Sequence, residues 1–91
     1  MNNTEARIIL GEHVRRWEHR SYDELSSLVA AKHSETFQQA GSSGTVYQIE
    51  LQFFWDDSPS GAVRVLGSID DGGIRAYFPM CSGALIYPVR L

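Results

Sequence analysis

The sequence predicts an α+β fold in which two N-terminal helices pack on one face of a four-stranded antiparallel β-meander. Three patterns support this: an apolar stripe with helical spacing before residue 20, a capping-box motif just after it, and apolar residues at alternate positions from Tyr47 onward. A chain of 91 residues has room for one stable core, because a second core would be smaller than chains usually stabilise. We therefore expect one domain over residues 1–91.

Both predicted helices lie in the first third of the chain. Apolar residues recur three or four positions apart between Thr4 and Arg20, which places them on one stripe of a helix. Ser21 and Glu24 have capping-box spacing, so a second helix begins there, with Ser21 accepting the Glu24 amide proton. The residues expected to face the core from the two helices are Ala6, Ile9, Leu10, Val14, Trp17, Leu25, Leu28 and Val29.

Alternating apolar and polar residues predict the strands. The pattern is clearest over residues 46–55, weaker over 35–39, and recurs over 63–69 and 74–78. Pairing Trp55 with Val63 and Phe53 with Val65 keeps the apolar faces of the second and third strands together. Residues 84–87 predict either a fifth strand or a tail laid over the core.

The Asp71-Gly72 pair predicts a type I′ turn between the third and fourth strands, because both central residues of that turn need positive φ. Counting outward from the turn pairs Ile69 with Ile74, Gly67 with Ala76 and Val65 with Phe78. The same count places Pro79 opposite Arg64, where its missing amide hydrogen would break the ladder, so regular pairing should stop or bulge after Phe78.

Composition narrows the classes of function. Hydrophobic residues make up 43% of the chain, which is enough for a packed core. The net charge is -3 with no clustered basic residues, so neither nucleic acid nor a membrane is an expected partner. Cys81 is the only cysteine, and the first residues lack a basic-then-apolar leader, so we expect a protein of the reducing cytoplasm without internal disulfides.

The sequence contains no recognisable catalytic or metal-binding motif. The acidic pairs at 56–57 and 70–71 fall at opposite ends of the predicted sheet, about 25 Å apart, so turn formation explains them better than a shared metal ion. The three histidines have no metal-ligand spacing with a second ligand type, and Cys81 has no base partner nearby in the sequence. We expect no cofactor, no metal and no catalytic residue.

The outer face of the predicted sheet suggests an interface. Three apolar or aromatic residues lie side by side there, with charged and polar residues around them, as in the core and rim of a modest protein interface. The alternative is scattered exposed apolar residues, which are common on protein surfaces. The predicted homodimer interface comprises Phe54, Leu66 and Tyr77 at the centre, with Glu50, Gln52, Arg64 and Arg75 around them.

The inner face carries a second candidate site. Its aromatic residues have more polar tips than a simple core requires, and a curved sheet under helices can leave a pocket where such tips meet a ligand. The alternative is that these large side chains simply fill a small core. The candidate pocket residues are His13, Trp17, Tyr47 and Trp55.

Two parts of the sequence resemble known families. Residues 47–50 (YQIE), 55–57 (WDD) and 64–76 (RVLGSIDDGGIRA) are similar to short uncharacterised bacterial proteins that carry a GSIDDGG-type segment, a resemblance that implies a bacterial origin and no known activity. Residues 17–29 followed by a meander resemble the start of the nuclear transport factor two-like (cystatin-like) superfamily. That resemblance implies helices inside a curved sheet, a ligand-binding cavity and dimerisation through the outer face.

Together these observations predict a non-enzymatic interaction or small-ligand-binding module that self-associates. The absence of a motif joining nucleophile, base and orienting group favours binding over catalysis. The alternative is a small enzyme with a pocket between the helices and the inner sheet face.

Overall fold

A computed structural model describes residues 2–73 and 79–88 and confirms the predicted α+β fold, with both helices before the sheet. The four strands form one antiparallel sheet in the order β1-β2-β3-β4, so each strand lies beside its neighbour in the chain. The elements are α1 (Asn3–Glu18), α2 (Tyr22–Ala30), β1 (Ser34–Ala40), β2 (Val46–Trp55), β3 (Val63–Asp70) and β4 (Met80–Ile86).

Side-chain caps fix where each helix begins. Asn2 Oδ1 accepts the Glu5 amide proton at 3.0 Å, and Ser21 Oγ accepts the Glu24 amide proton at 3.1 Å, as the capping-box spacing predicts. At the other end of α2, Lys32 adopts a positive φ of 53° while the His33 amide donates to the Leu28 carbonyl at 3.0 Å. This reversal turns the chain directly into β1.

The core lies between the helices and the inner face of β2 and β3. Gly67 lets α1 approach β3 closely, because a Cβ atom there would lie 2.8 Å from Leu10 Cδ1 and 3.0 Å from Val14 Cγ2. The helix therefore rests on the backbone of β3 at this position. The buried apolar residues are Ala6, Ile9, Leu10, Val14, Leu25, Tyr47, Ile49, Leu51, Phe53, Val63, Val65 and Ile69.

The predicted register of β2 and β3 is confirmed. Trp55 pairs with Val63 and Phe53 pairs with Val65. The weaker strand predicted over residues 35–39 is also present, and it pairs with β2 from Ser34 opposite Gln52.

The predicted partner of β3 is wrong. Ile69, Gly67 and Val65 pair with Met80, Ser82 and Ala84, rather than with Ile74, Ala76 and Phe78. The shift is six residues, an even number, so the same alternation of faces fits both registers and apolar patterning could not separate them. Residues 74–78 lie outside the described residues. The fourth strand of the sheet, β4, includes residues 84–86. The sequence had left open whether these residues form a fifth strand or a tail laid over the core.

The type I′ turn is also wrong. Gly72 has a positive φ of 83°, but the described non-glycine residues with positive φ are Lys32 and Ser60, not Asp71. Asp70 Oδ1 instead accepts the Gly72 amide proton at 2.8 Å, and Asp71 Oδ1 accepts that of Gly73 at 3.1 Å. Two successive side-chain turns of this kind lead the chain away from a tight hairpin.

The contact at Gly67 gives a test of the packing. Gly67→Ala should lower the free energy of unfolding by about 1–3 kcal/mol, because the new methyl group overpacks the α1–β3 contact. Gly11→Ala is the matched control, since its Cβ would come no closer than 3.5 Å to Arg15 Nη1 and the exchange favours a helix. Urea denaturation measures both, and equal stability of the two variants would contradict the packing described.

Candidate functional site

The outer face of the sheet carries an exposed apolar patch formed by Phe54, Leu66 and Leu85. Phe54 and Leu85 flank Arg64 in one row across the sheet, and Leu66 lies two residues along β3 from Arg64. Phe54 is 44% exposed and Leu85 is 38% exposed, while Leu66 is half-buried. The core contacts of both helices lie on the opposite face, so within residues 2–73 and 79–88 no helix covers this outer apolar patch.

The patch differs from the predicted one on its β4 side. Leu85, rather than Pro79, pairs with Arg64, because β4 is formed by Met80–Ile86. Arg75 and Tyr77 lie outside the described residues. Gln52 pairs with Leu66 and Glu50 pairs with Ser68, so both remain beside the patch as the sequence predicted. The register shift thus places Gly83 opposite Leu66, where Tyr77 was expected, and adds Leu85 beside Arg64.

Arg64 lies within the outer apolar patch, and its charge is balanced by Asp56. Its Nε donates to Asp56 Oδ1 at 3.0 Å, and Nη2 donates to the same oxygen. Both side chains are partly exposed, so the pair contributes little to stability while the surface is in water. The pairing does mean that covering the patch would not bury an isolated guanidinium charge.

The structure separates the four inner-face candidates. Tyr47 and Trp55 lie at opposite ends of β2, eight residues and so about 26 Å apart. Tyr47 is fully buried, and its hydroxyl donates to Glu5 Oε1 at 2.8 Å. Trp55 is half-buried beside α2. No single pocket can therefore include all four side chains.

His13 and Trp17 do share a groove between α1 and β1. His13 is 7% exposed, contacts Gln39 Oε1 through Nε2 at 2.8 Å, and stacks on Phe37 with ring centroids 5.0 Å apart. Trp17 packs its edge against Phe53 at 5.1 Å. The groove is open and about 520 Å³ in volume, and its lining comprises His13, Arg16, Trp17, Arg20, Glu35 and Phe37.

Trp55 lines a different cavity at the end of β2. The first residue of β1 pairs with Gln52, so the last three residues of β2 have no strand beside them on that side. The open position leads to the C-terminal end of α2. The resulting cavity, here called the socket, measures about 540 Å³ and is lined by Val29, Lys32, His33, Ser34, Gln52, Phe53, Phe54 and Trp55.

A group of hydrogen bonds to the Glu5 carboxylate, which the sequence did not reveal, joins α1 to the β1–β2 loop. Glu5 accepts hydrogen bonds from the hydroxyls of Ser43 at 2.6 Å, Tyr47 at 2.8 Å and Ser42 at 2.9 Å, and from the Ser43 amide at 3.0 Å. A Cβ atom on Gly41 would lie 2.1 Å from Glu5 Oε1. The small residues of this loop are the only sequence signal for such a close approach, and they indicate a loop equally well.

These hydrogen bonds keep Glu5 ionised. The Ser43 hydroxyl, followed by that of Tyr47, lowers the pKa of Glu5 from 4.5 to about 2. Burial raises the pKa of the Tyr47 phenol, and the Glu5 carboxylate adds to that effect. A carboxylate held in this way has no proton to donate near neutral pH and is too weak a base to accept one. This group of hydrogen bonds therefore acts as a clamp between α1 and the loop.

The described residues contain no group of three or more His, Cys, Asp or Glu side chains placed to hold a metal ion. In the same part of the chain, no helix has the length and apolar character needed to cross a membrane.

Comparisons with protein-family models, with curated proteins and with solved structures found no match for this chain. The site is therefore interpreted from its own geometry.

The clamp predicts a pH-dependent contribution to stability. Glu5→Gln should lower the melting temperature near pH 7, because the amide cannot accept from all the donors around it. Because the folded pKa of Glu5 lies below its unfolded value, this difference from wild type should be present above about pH 5 and shrink as the pH falls toward 2. Glu12→Gln, on the exposed side of α1, is the control. A difference that stays constant from pH 7 to pH 2 would contradict the clamp.

Proposed function

We propose that the protein is a non-enzymatic interaction module that pairs with a second copy of itself through the outer face of its sheet. The observation that carries this proposal is the outer apolar patch, which stands open on the face opposite both helices. Antiparallel sheets with one face toward water normally alternate apolar residues inside with polar residues outside. Three apolar side chains grouped around Arg64 on the outer face depart from that alternation, and such a departure favours a covered face.

The surroundings of the patch support an interface with an apolar centre and a polar rim. Along the outer face toward the β1–β2 loop, the patch gives way to polar side chains that keep that end of the sheet hydrated. Like most homodimers, a pair formed in this way would use the same surface twice about a two-fold axis. The rim residues are Thr36, Gln38, Gln48, Glu50 and Ser68, which lie on the outer face of β1, β2 and β3.

The described histidines favour binding over catalysis. His13 contacts the amide oxygen of Gln39, which orients the ring, and no carboxylate among the described residues is its hydrogen-bond partner. His33 does meet a carboxylate, Glu35 Oε1 at 2.8 Å, but His33 is exposed and Glu35 is only half-buried. Neither arrangement places a base beside a nucleophile in an enclosed pocket.

The proposal includes a cytoplasmic location. Cys81 is a free, exposed thiol on the outer face of β4. An exposed thiol next to a self-associating surface would form intermolecular disulfides in an oxidising compartment, whereas a reducing one keeps it as a thiol.

Leu66→Asp tests the proposed interface. The wild-type protein should sediment as a dimer in a concentration series, and the variant should sediment as a monomer, because a dimer would bury an unpaired carboxylate at its centre. Leu66 is on the face away from the core, so the variant should keep the wild-type circular dichroism spectrum.

Ile8→Asp is the matched control, since Ile8 is an exposed apolar residue, 56% accessible, on α1. It introduces the same charge away from the sheet and should leave the dimer intact. A monomeric wild-type protein, or a Leu66→Asp variant that still dimerises, would show that the outer face is not the interface.

A further inference from the structure

The socket lies where the sheet is one strand narrower. Beyond Gln52, β2 continues through Phe53, Phe54 and Trp55 while β1 has not yet begun. Three residues of strand correspond to an opening of about 10 Å along β2. Phe53 and Trp55 line the socket from the inner face of the sheet, and Ser34, Gln52 and Phe54 line it from the outer face, so its lining is continuous with the outer apolar patch at Phe54.

At the same end of the sheet, the opposite edge strand, β4, carries the side chains that could fill the socket. Ile86 pairs with Val63, which pairs with Trp55, so β4 ends level with the end of β2. Leu85 lies on the outer face next to this end, and Tyr87 follows immediately after β4. Tyr87 is 67% exposed, more than any other large apolar side chain that the structure describes.

A two-fold axis can bring these edges together. Two sheets that pack face to face with nearly aligned strands lie about 10 Å apart. If the axis runs parallel to the strands, midway between β2 and β3, it places β4 of one protomer over β1 of its partner. Corresponding strand ends of the two sheets then lie at the same end of the dimer. The partner's last β4 residues then lie over the position that β1 leaves empty. An axis across the strands would instead place β4 over β4 and leave the socket unfilled.

The area of the sheet gives a second reason to expect this contact. Four strands paired over about seven residues present a face of roughly 450 Å² in projection. Stable interfaces usually bury about 800 Å² of accessible surface on each partner, which is larger than projected area, so a stable dimer would use nearly the whole face out to its edges. Insertion of an aromatic and an aliphatic side chain into a cavity of about 540 Å³ would add contact at both edges of a symmetric pair.

We propose that Leu85 and Tyr87 of each protomer insert into the socket of its partner, between the end of β2 and the C-terminal end of α2. This inference rests on the proposed pairing through the outer face and specifies its axis and its anchor residue. Each dimer then contains two identical contacts of this kind, so one substitution affects both.

Tyr87→Ala should weaken the dimer roughly tenfold or more, measured as the dissociation constant by sedimentation equilibrium, because an anchor is lost twice per dimer. Val46→Ala is the matched control. Val46 is also exposed, at 50%, and is also on the outer face, but it lies beyond the far ends of β3 and β4 and should be outside the overlap. Its dissociation constant should equal that of the wild type.

Disulfide trapping tests the axis directly. In a Cys81→Ser background, a tagged Tyr87→Cys chain mixed with a Ser34→Cys chain should give a mixed disulfide, because Ser34 lines the socket. The control chain carries Gln38→Cys, on the same face of β1 but about 13 Å further along the strand, and should give none.

The outcomes separate this inference from the proposed function. If Leu66→Asp is monomeric but Tyr87→Ala dimerises as tightly as the wild type and Ser34 gives no trapped product, the outer face is the interface and the socket contact is wrong. If the wild-type protein is monomeric, both are wrong. Weakening by Tyr87→Ala together with trapping at Ser34 supports both.

Discussion

The contact of α1 with β3 at Gly67 is the constraint on which the rest of the structure depends. Without a side chain at this position, Leu10 and Val14 reach the sheet backbone, and the helix covers the centre of the inner face. The Glu5 clamp fixes the start of α1 against the β1–β2 loop, so the helix is held at its centre by packing and at one end by hydrogen bonds. Residues 2–73 and 79–88 form no second apolar layer over the outer face, which among these residues is left to solvent or to a partner.

The same constraint explains where the two surface features lie. α2 must return from the end of α1 and deliver the chain to β1 through the reversal at Lys32, which sets β1 to begin at Ser34. β2 is longer than β1 and extends past it, and the socket is the space that results. At the opposite edge, β4 ends level with β2 and leaves Tyr87 exposed. The open socket thus arises from the difference in length between β1 and β2, whereas Tyr87 is exposed because it follows the end of β4.

The sequence was sufficient for the parts of the fold that depend on local chemistry. The Ser21 cap, the two helices and the β2–β3 register follow from spacing and from the face that must be buried. The partner of β3 did not follow, because residues 74–78 and 80–86 have the same alternation and differ by an even shift. That error carried into the candidate site, where Tyr77 was expected opposite Leu66 but Gly83 is present, and where Leu85 lies opposite Arg64. The Glu5 clamp was beyond prediction, since it joins residues about forty positions apart through loop geometry that composition does not encode.

Hydroxyl-radical footprinting of the wild-type protein, at concentrations below and above the onset of association, tests the central claim that the outer face is covered by a second copy. It reports side-chain exposure residue by residue and needs no substitution. The account predicts that oxidation of Phe54, Leu85 and Tyr87 falls at high concentration while that of Ile8 stays constant. If oxidation of Phe54 stays as constant with concentration as that of Ile8, or if Ile8 alone is protected, the result would contradict the account.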